Sequence, residues 1–128
     1  ASPLVTDEEF LKCLVDTGKP IILSTGMSTE AQVDKAVDIL SDNLEYILAC
    51  TSTYPTVVEE LNLRYIQTLK EQYPQYKIGF SNHYSGFESS FGASVLVDGI
   101  FAMEKMLGDG IKKVYDSELP IMQKLRKV

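Results

Sequence analysis

The sequence predicts an α/β chain built on a parallel sheet, and three observations carry the prediction. Three short apolar runs, Ile21-Ile22-Leu23, Tyr46-Ile47-Leu48-Ala49-Cys50 and Lys77-Ile78-Gly79-Phe80, have the length and residue types of strands. Segments with apolar residues at helical spacing precede and separate them, so the strands start roughly 25–30 residues apart. That interval suits a strand–helix–strand crossover, which is right-handed and lays its helix over the sheet. Finally, each run ends in polar residues: Ser24-Thr25-Gly26, Thr51-Ser52-Thr53-Tyr54-Pro55 and Ser81-Asn82-His83. Hydroxyl, amide and imidazole groups at the carboxyl ends of parallel strands describe one polar rim, the place where open α/β sheets and barrels bind ligands.

The elements follow in order. Thr6 and Glu9 form a capping-box pattern that opens a helix running to about Asp16, with Phe10, Leu11, Leu14 and Val15 on its apolar face. Thr17-Gly18-Lys19-Pro20 stops it before the first strand. Ser28 or Thr29 caps a second helix, whose Val33, Ala36, Val37 and Leu40 make one stripe, and Ser41-Asp42-Asn43 ends it. A third helix is expected over about 57–72, with Val58, Leu61, Tyr65, Ile66 and Leu69 inward. After the third strand, 89–93 opens a helix and 95–107 reads as another, with Leu96, Ile100, Met103 and Leu107 on one face and Gly108 as its stop. No strand is predicted between these two, so the alternation skips a beat near Ala93-Ser94.

A chain of 128 residues, 45% of them hydrophobic, builds one core. Its net charge of −6 and the lack of a long basic cluster argue against nucleic-acid binding. No apolar run approaches the roughly 20 residues a membrane span needs, and residues 1–20 lack a signal-peptide pattern. A soluble, cytoplasmic protein is expected. Cys13 and Cys50 have no Cys-x-x-Cys spacing and read as reduced, mostly buried thiols, with a reactive thiol at the strand end as the alternative for Cys50.

Taken together, the segments resemble the sialic acid synthase family. Lys19-Pro20-Ile21-Ile22-Leu23-Ser24-Thr25-Gly26-Met27 looks like its strand five. Cys50-Thr51-Ser52-Thr53-Tyr54-Pro55-Thr56, with Glu59 and Asn62-Leu63-Arg64 after it, resembles strand six, and Ile78-Gly79-Phe80-Ser81-Asn82-His83 resembles strand seven. Leu107-Gly108-Asp109-Gly110-Ile111-Lys112-Lys113-Val114, Ser117-Glu118-Leu119 and Lys124-Leu125-Arg126 are similar to the segment that leaves the barrel. The family fold is a (β/α)8 TIM barrel followed by a small antifreeze-like domain. A full barrel takes about 250 residues, so the resemblance implies that residues 1–128 are a partial barrel, its second half. Family strand eight carries Glu-Lys-His or Glu-Arg-His. Glu104-Lys105-Met106 imitates that motif within a helical pattern, so strand eight is expected to be missing, with a gap near 93–94.

The resemblance also implies a reaction. Family members condense phosphoenolpyruvate with an N-acyl-mannosamine-type sugar, giving a nine-carbon sugar acid and phosphate through C–O cleavage. Such chemistry needs a divalent metal to polarise the sugar aldehyde, donors to hold phosphoenolpyruvate, and a positioned water. His83 matches one of two metal ligands, with Mn2+ as the implied ion and Mg2+ or Co2+ as alternatives. Taken on residues alone, a single histidine defines no metal site. Ser24, Ser52 and Ser81 match positions that contact phosphoenolpyruvate, and Tyr54 matches a sugar-contacting aromatic; on residues alone these are loop, cap or packed core residues. Asn82 stands where the family more often has aspartate. No catalytic residue is assigned within this chain. The implied intact protein is a homodimer, and the 128 residues alone are expected to be inactive. The alternatives are a legionaminate, pseudaminate or spore-coat sugar acid synthase, or a non-catalytic half-barrel domain.

Overall fold

A computed structural model describes residues 2–53, 55–84 and 88–102. The element order is α1 (Glu8–Asp16), β1 (Ile21–Ser24), α2 (Glu30–Leu40), β2 (Leu44–Cys50), α3 (Arg64–Gln72), β3 (Lys77–Asn82), α4 (Glu88–Ser94) and β4 (Gly99–Ala102). The four strands form one sheet in the order β1-β2-β3-β4, and every neighbouring pair is parallel. This is the predicted α/β architecture of a partial (β/α)8 barrel.

The strand pleat separates two faces. Ile21, Leu23, Ile47, Ala49, Ile78 and Phe80 belong to the core that the helices cover, with Leu11, Val33, Ala36, Val37, Leu40, Ile66 and Leu69 packed against them. Alternate positions look the other way. Ile22 pairs with Tyr46, Ser24 with Leu48, and Cys50 with Ser81 in register. Ile22 is 47% exposed, and Leu48 is buried yet stands outside the helix-side core. Thus the second face, the inner face of a barrel, carries both apolar side chains and the strand-end serines.

Local chemistry explains most element boundaries. Thr29 caps α2 through a full capping box: its hydroxyl accepts from Gln32 N and its N–H donates to Gln32 Oε1. The four apolar residues of the α2 stripe are all buried, as their spacing requires. The α1 cap is Asp7, which accepts from Phe10 N at 3.0 Å, one residue later than the predicted Thr6 cap. The predicted helix over 57–72 is broken. A 3-10 turn at Val58–Glu60 precedes α3, and Val58 is 54% exposed rather than inward. Cys13 is exposed and Cys50 half-buried, so the prediction of two mostly buried thiols is corrected.

The region after α4 departs furthest from the sequence-based expectation. α4 runs unbroken through Ala93 and Ser94, and Leu96 N and Val97 N both bond back to Ala93 O. Instead of a helix, residues 99–102 form β4, paired with β3 from Gly79↔Gly99 to Asn82↔Ala102. The expected absence of a strand after α4 is therefore corrected. Asp98 explains the switch. Its N–H donates to Ile78 O at 2.7 Å and its carboxylate accepts from Ile78 N at 2.9 Å, which ties the chain to the start of β3. Leu96 and Ile100 are four residues apart, a spacing that suits a helix but also occurs across a turn and strand. The expected helix residues Met103 and Leu107, the Glu104-Lys105-Met106 run and Gly108 lie outside the described residues.

Candidate functional site

The rim at the carboxyl ends of β1, β2 and β3 is assembled mainly by backbone bonds. Thr25, 4% exposed, closes β1 onto β2: its N–H and hydroxyl both donate to Leu48 O, at 3.1 and 2.9 Å. Gly26 follows, and Met27 adopts φ 57° with its side chain 73% exposed at the rim. A non-glycine residue in the left-handed region stores local strain, a feature that gathers at binding sites.

Past β2, the loop 51–56 is clamped to the end of β3. Thr56 N donates to His83 O at 3.1 Å, and Thr56 bridges Tyr84 in parallel fashion. Thr56 Oγ1 donates to Thr53 O at 2.6 Å. The clamp brings His83 over Thr51, and His83 Nδ1 lies 2.8 Å from Thr51 O. A carbonyl oxygen only accepts, so Nδ1 carries the proton. In the neutral ring the lone pair therefore sits on Nε2. An Nδ1–H held by a backbone carbonyl fixes tautomer and ring orientation, as in metal-ligating imidazoles. Cys50 Sγ lies 4.0 Å from the same Nδ1.

Ser24 and Ser81 end β1 and β3 on the inner face, both half-buried. Ser52 Oγ is buried with no hydrogen-bond partner among the described residues, an orphan that a ligand oxygen would satisfy. Tyr54 lies outside the described residues. Two open clefts lie at this end of the sheet. One, about 430 Å3, is lined by Thr25, Met27, Ser28, Cys50, Asn62 and Tyr65 among others. A second, about 440 Å3, is lined by Met27, Cys50, Thr51, Ser52 and Thr53. Of the residues predicted from the sequence, Ser52 lines the second of these clefts. Sequence reasoning did not single out Thr25, Met27 and Thr51, which line these clefts. Cys50 and Thr51 had a signal in their place at a strand end, whereas the role of the Thr51 carbonyl is invisible to side-chain patterns.

Asn82 serves α4 rather than the imidazole. Its Oδ1 accepts from Tyr84 N and Ser89 Oγ, and its Nδ2 donates to Ser90 Oγ at 2.9 Å. An aspartate could not make that last donation. At the first of these clefts, burial chiefly raises the Tyr65 phenol above its usual range. As for a metal, the described residues contain no cluster of three His, Cys, Asp or Glu able to hold one. One oriented imidazole by itself does not make a divalent site.

Parallel strands, outer helices and a polar carboxyl-end rim define a barrel-type α/β domain. The chain belongs to the NeuB family, whose description matches residues 1–109. It is 35% identical over 115 residues to a pseudaminic acid synthase of Campylobacter jejuni subsp. jejuni serotype O:2, covering 88% of this chain and 33% of that protein. It is 28% identical over 160 residues to an N,N'-diacetyllegionaminic acid synthase of the same strain, covering 96% of this chain and 48% of that protein. The crystal structure of an N-acetylneuraminic acid synthetase from Leptospira borgpetersenii serovar Hardjo-bovis, in complex with citrate, superimposes with a TM-score of 0.74 at 31% identity. That superposition covers 78% of this chain and 36% of the other. The chain thus spans a third to a half of the length of these relatives. The legionaminic acid synthase match spreads 96% of 128 residues over 160 positions, so that relative carries a stretch with no counterpart here.

Proposed function

We propose that these residues form the second half of the barrel of a sugar-acid synthase, one that condenses phosphoenolpyruvate with an N-acyl-mannosamine-type sugar. In this reading C3 of phosphoenolpyruvate attacks the sugar aldehyde. Water adds to the cationic C2, and phosphate leaves by C–O cleavage. Ser24 and Ser81, at the strand ends on the inner face, and Ser52 donate hydrogen bonds to the phosphate and carboxylate of phosphoenolpyruvate. The observation that carries the reading is the buried Ser52 Oγ, unpartnered among the described residues and one residue after the Thr51 carbonyl that orients His83, in a NeuB-family chain. No described helix is long and apolar enough to cross a membrane. The reading places the protein in the cytoplasm, as a homodimer when intact, with a divalent ion whose further ligands lie outside the described residues.

One observation favours a second reading. The single imidazole, with no metal-holding cluster among the described residues, also suits a non-catalytic half-barrel domain. Sugar-dependent phosphate release from phosphoenolpyruvate, assayed with the intact protein that contains this chain, separates the two. The synthase reading expects release that His83→Ala abolishes while the fold is kept. Release that survives His83→Ala removes His83 from the mechanism, and no release with any N-acyl hexosamine supports the non-catalytic reading.

A further inference from the structure

His83 is gripped along the chain as well as across the rim. Side chains alternate along β3, so Asn82 shares the helix side of the strand with Ile78 and Phe80. There the buried Asn82 meets Ser89 and Ser90, in the first turn of α4. Its amide has one workable orientation. Tyr84 N–H can only donate, so the atom 2.9 Å from it is the acceptor Oδ1, which also takes the Ser89 hydroxyl at 3.0 Å. Nδ2 then donates to Ser90 Oγ at 2.9 Å. Turning the amide over would set Nδ2 against Tyr84 N, donor against donor. An asparagine side chain bonded to the N–H two residues on closes an Asx turn, and the residue inside this turn is His83.

We propose that Asn82 is a positioning residue for His83: its bond to Tyr84 N holds the histidine in the turn, and α4 holds Asn82 through Ser89 and Ser90. Three restraints then meet at one residue. Asn82 Oδ1 ties down the backbone just after His83. Thr56 N donates to the His83 carbonyl at 3.1 Å, from the loop after β2. Thr51 O takes the ring proton at 2.8 Å. The ring meets the Thr51 carbonyl only while the backbone that carries it keeps its place, and of the two backbone restraints Asn82 supplies the one made by a side chain. Burial strengthens the tie, because Tyr84 N and the Ser89 hydroxyl would otherwise lose their acceptor away from water. The role belongs to the acceptor oxygen. An aspartate keeps that oxygen, and the Ser90 hydroxyl can rotate to donate to its second one.

The test reads the His83 ring directly, in the intact protein that contains this chain, labelled with 15N at histidine. The His83 signals are assigned by their loss in His83→Gln. With the ring neutral, the wild type should show a protonated Nδ1 and an unprotonated Nε2. Asn82→Leu keeps the branching of the side chain and removes the acceptor, and should mix the two tautomers. Asn82→Asp should keep the wild-type signals. Should Asn82→Leu fail to fold, Ser89→Ala with Ser90→Ala loosens Asn82 from α4 and should mix the tautomers in part. Under the synthase reading, on which this consequence rests, kcat for sugar-dependent phosphate release should fall roughly 10–100-fold in Asn82→Leu, with KM for phosphoenolpyruvate little changed and Asn82→Asp restoring the rate. Wild-type ring signals in a folded Asn82→Leu, or in the double serine variant if that is the one that folds, overturn the proposal. So does a ring disturbed as much by Asn82→Asp as by Asn82→Leu. A ring disturbed by Asn82→Leu alone, in a protein whose wild type releases no phosphate, upholds the positioning role and removes the synthase reading instead.

Discussion

At the scale of single residues, backbone partners rather than side-chain neighbours set the site. His83 is oriented by a carbonyl oxygen, that of Thr51, and Thr51 is placed by the Thr56–His83 clamp. Loosening the clamp should therefore disturb His83. Thr56→Val removes the hydroxyl that donates to Thr53 O and keeps the volume. It should cost about 1 kcal/mol of stability and broaden the His83 ring resonances in an NMR spectrum; unchanged resonances would show the loop is held by other means. Asp98 is the second residue with an outsized role. Asp98→Ala strips the acceptor from Ile78 N and should destabilise the fold by about 1–3 kcal/mol in urea titration. A loss below a few tenths would mean that β4 registers without it. His83 was legible in the sequence because it is the only histidine and stands at a strand end. The importance of Thr51 and Asp98 was not, because their bonds involve backbone groups that every residue carries.

Among the elements, α2 was the most readable. A capping box, an apolar stripe and a polar stop all agree, and each is a local feature. Thr29→Ala should lower stability by about 1 kcal/mol, read from the thermal midpoint. The elements misread were those where tertiary contacts outvoted spacing. In 95–102, pairing with β3 and the Asp98 tie override a helical interval, and in 57–63 the chain makes a 3-10 turn before α3 begins. The link between α2 and α3 also sets a pH dependence. The Tyr73 hydroxyl donates to Asp34, and burial with that carboxylate raises the phenol well above its ordinary value of 10.0. A raised folded-state pKa makes a contribution that is complete below the unfolded value and fades as pH climbs toward the folded one. Stability measured by urea should thus decline above about pH 10, and Tyr73→Phe should flatten that decline. An alkaline profile identical in the two proteins would contradict this.

For the molecule as a whole, the sheet is finished on one side only. Helices cover the outer face, while Ile22 and the strand-end serines lie on the inner one, and β1 and β4 each pair along a single edge among the described residues. Uncharged, proline-free edges of this kind invite association. The 128 residues expressed alone should dimerise or aggregate in sedimentation experiments and should show no synthase activity; a monomer that melts sharply would contradict the half-barrel account. The parallel architecture was visible in the sequence because each crossover announces itself by length and periodicity. The open face was not, since alternating strand residues look the same whether a second half covers them or water does. The central claim is that ligand recognition belongs to the carboxyl-end rim. Titrating phosphoenolpyruvate against isotope-labelled protein and following backbone amide shifts tests it most directly. The account expects shifts at Ser24, Thr25, Thr51, Ser52, Ser81 and His83, reduced when Ser24 and Ser81 are both replaced by alanine. Shifts confined to the opposite end, around Glu45, Lys77 and Asp98, would contradict it.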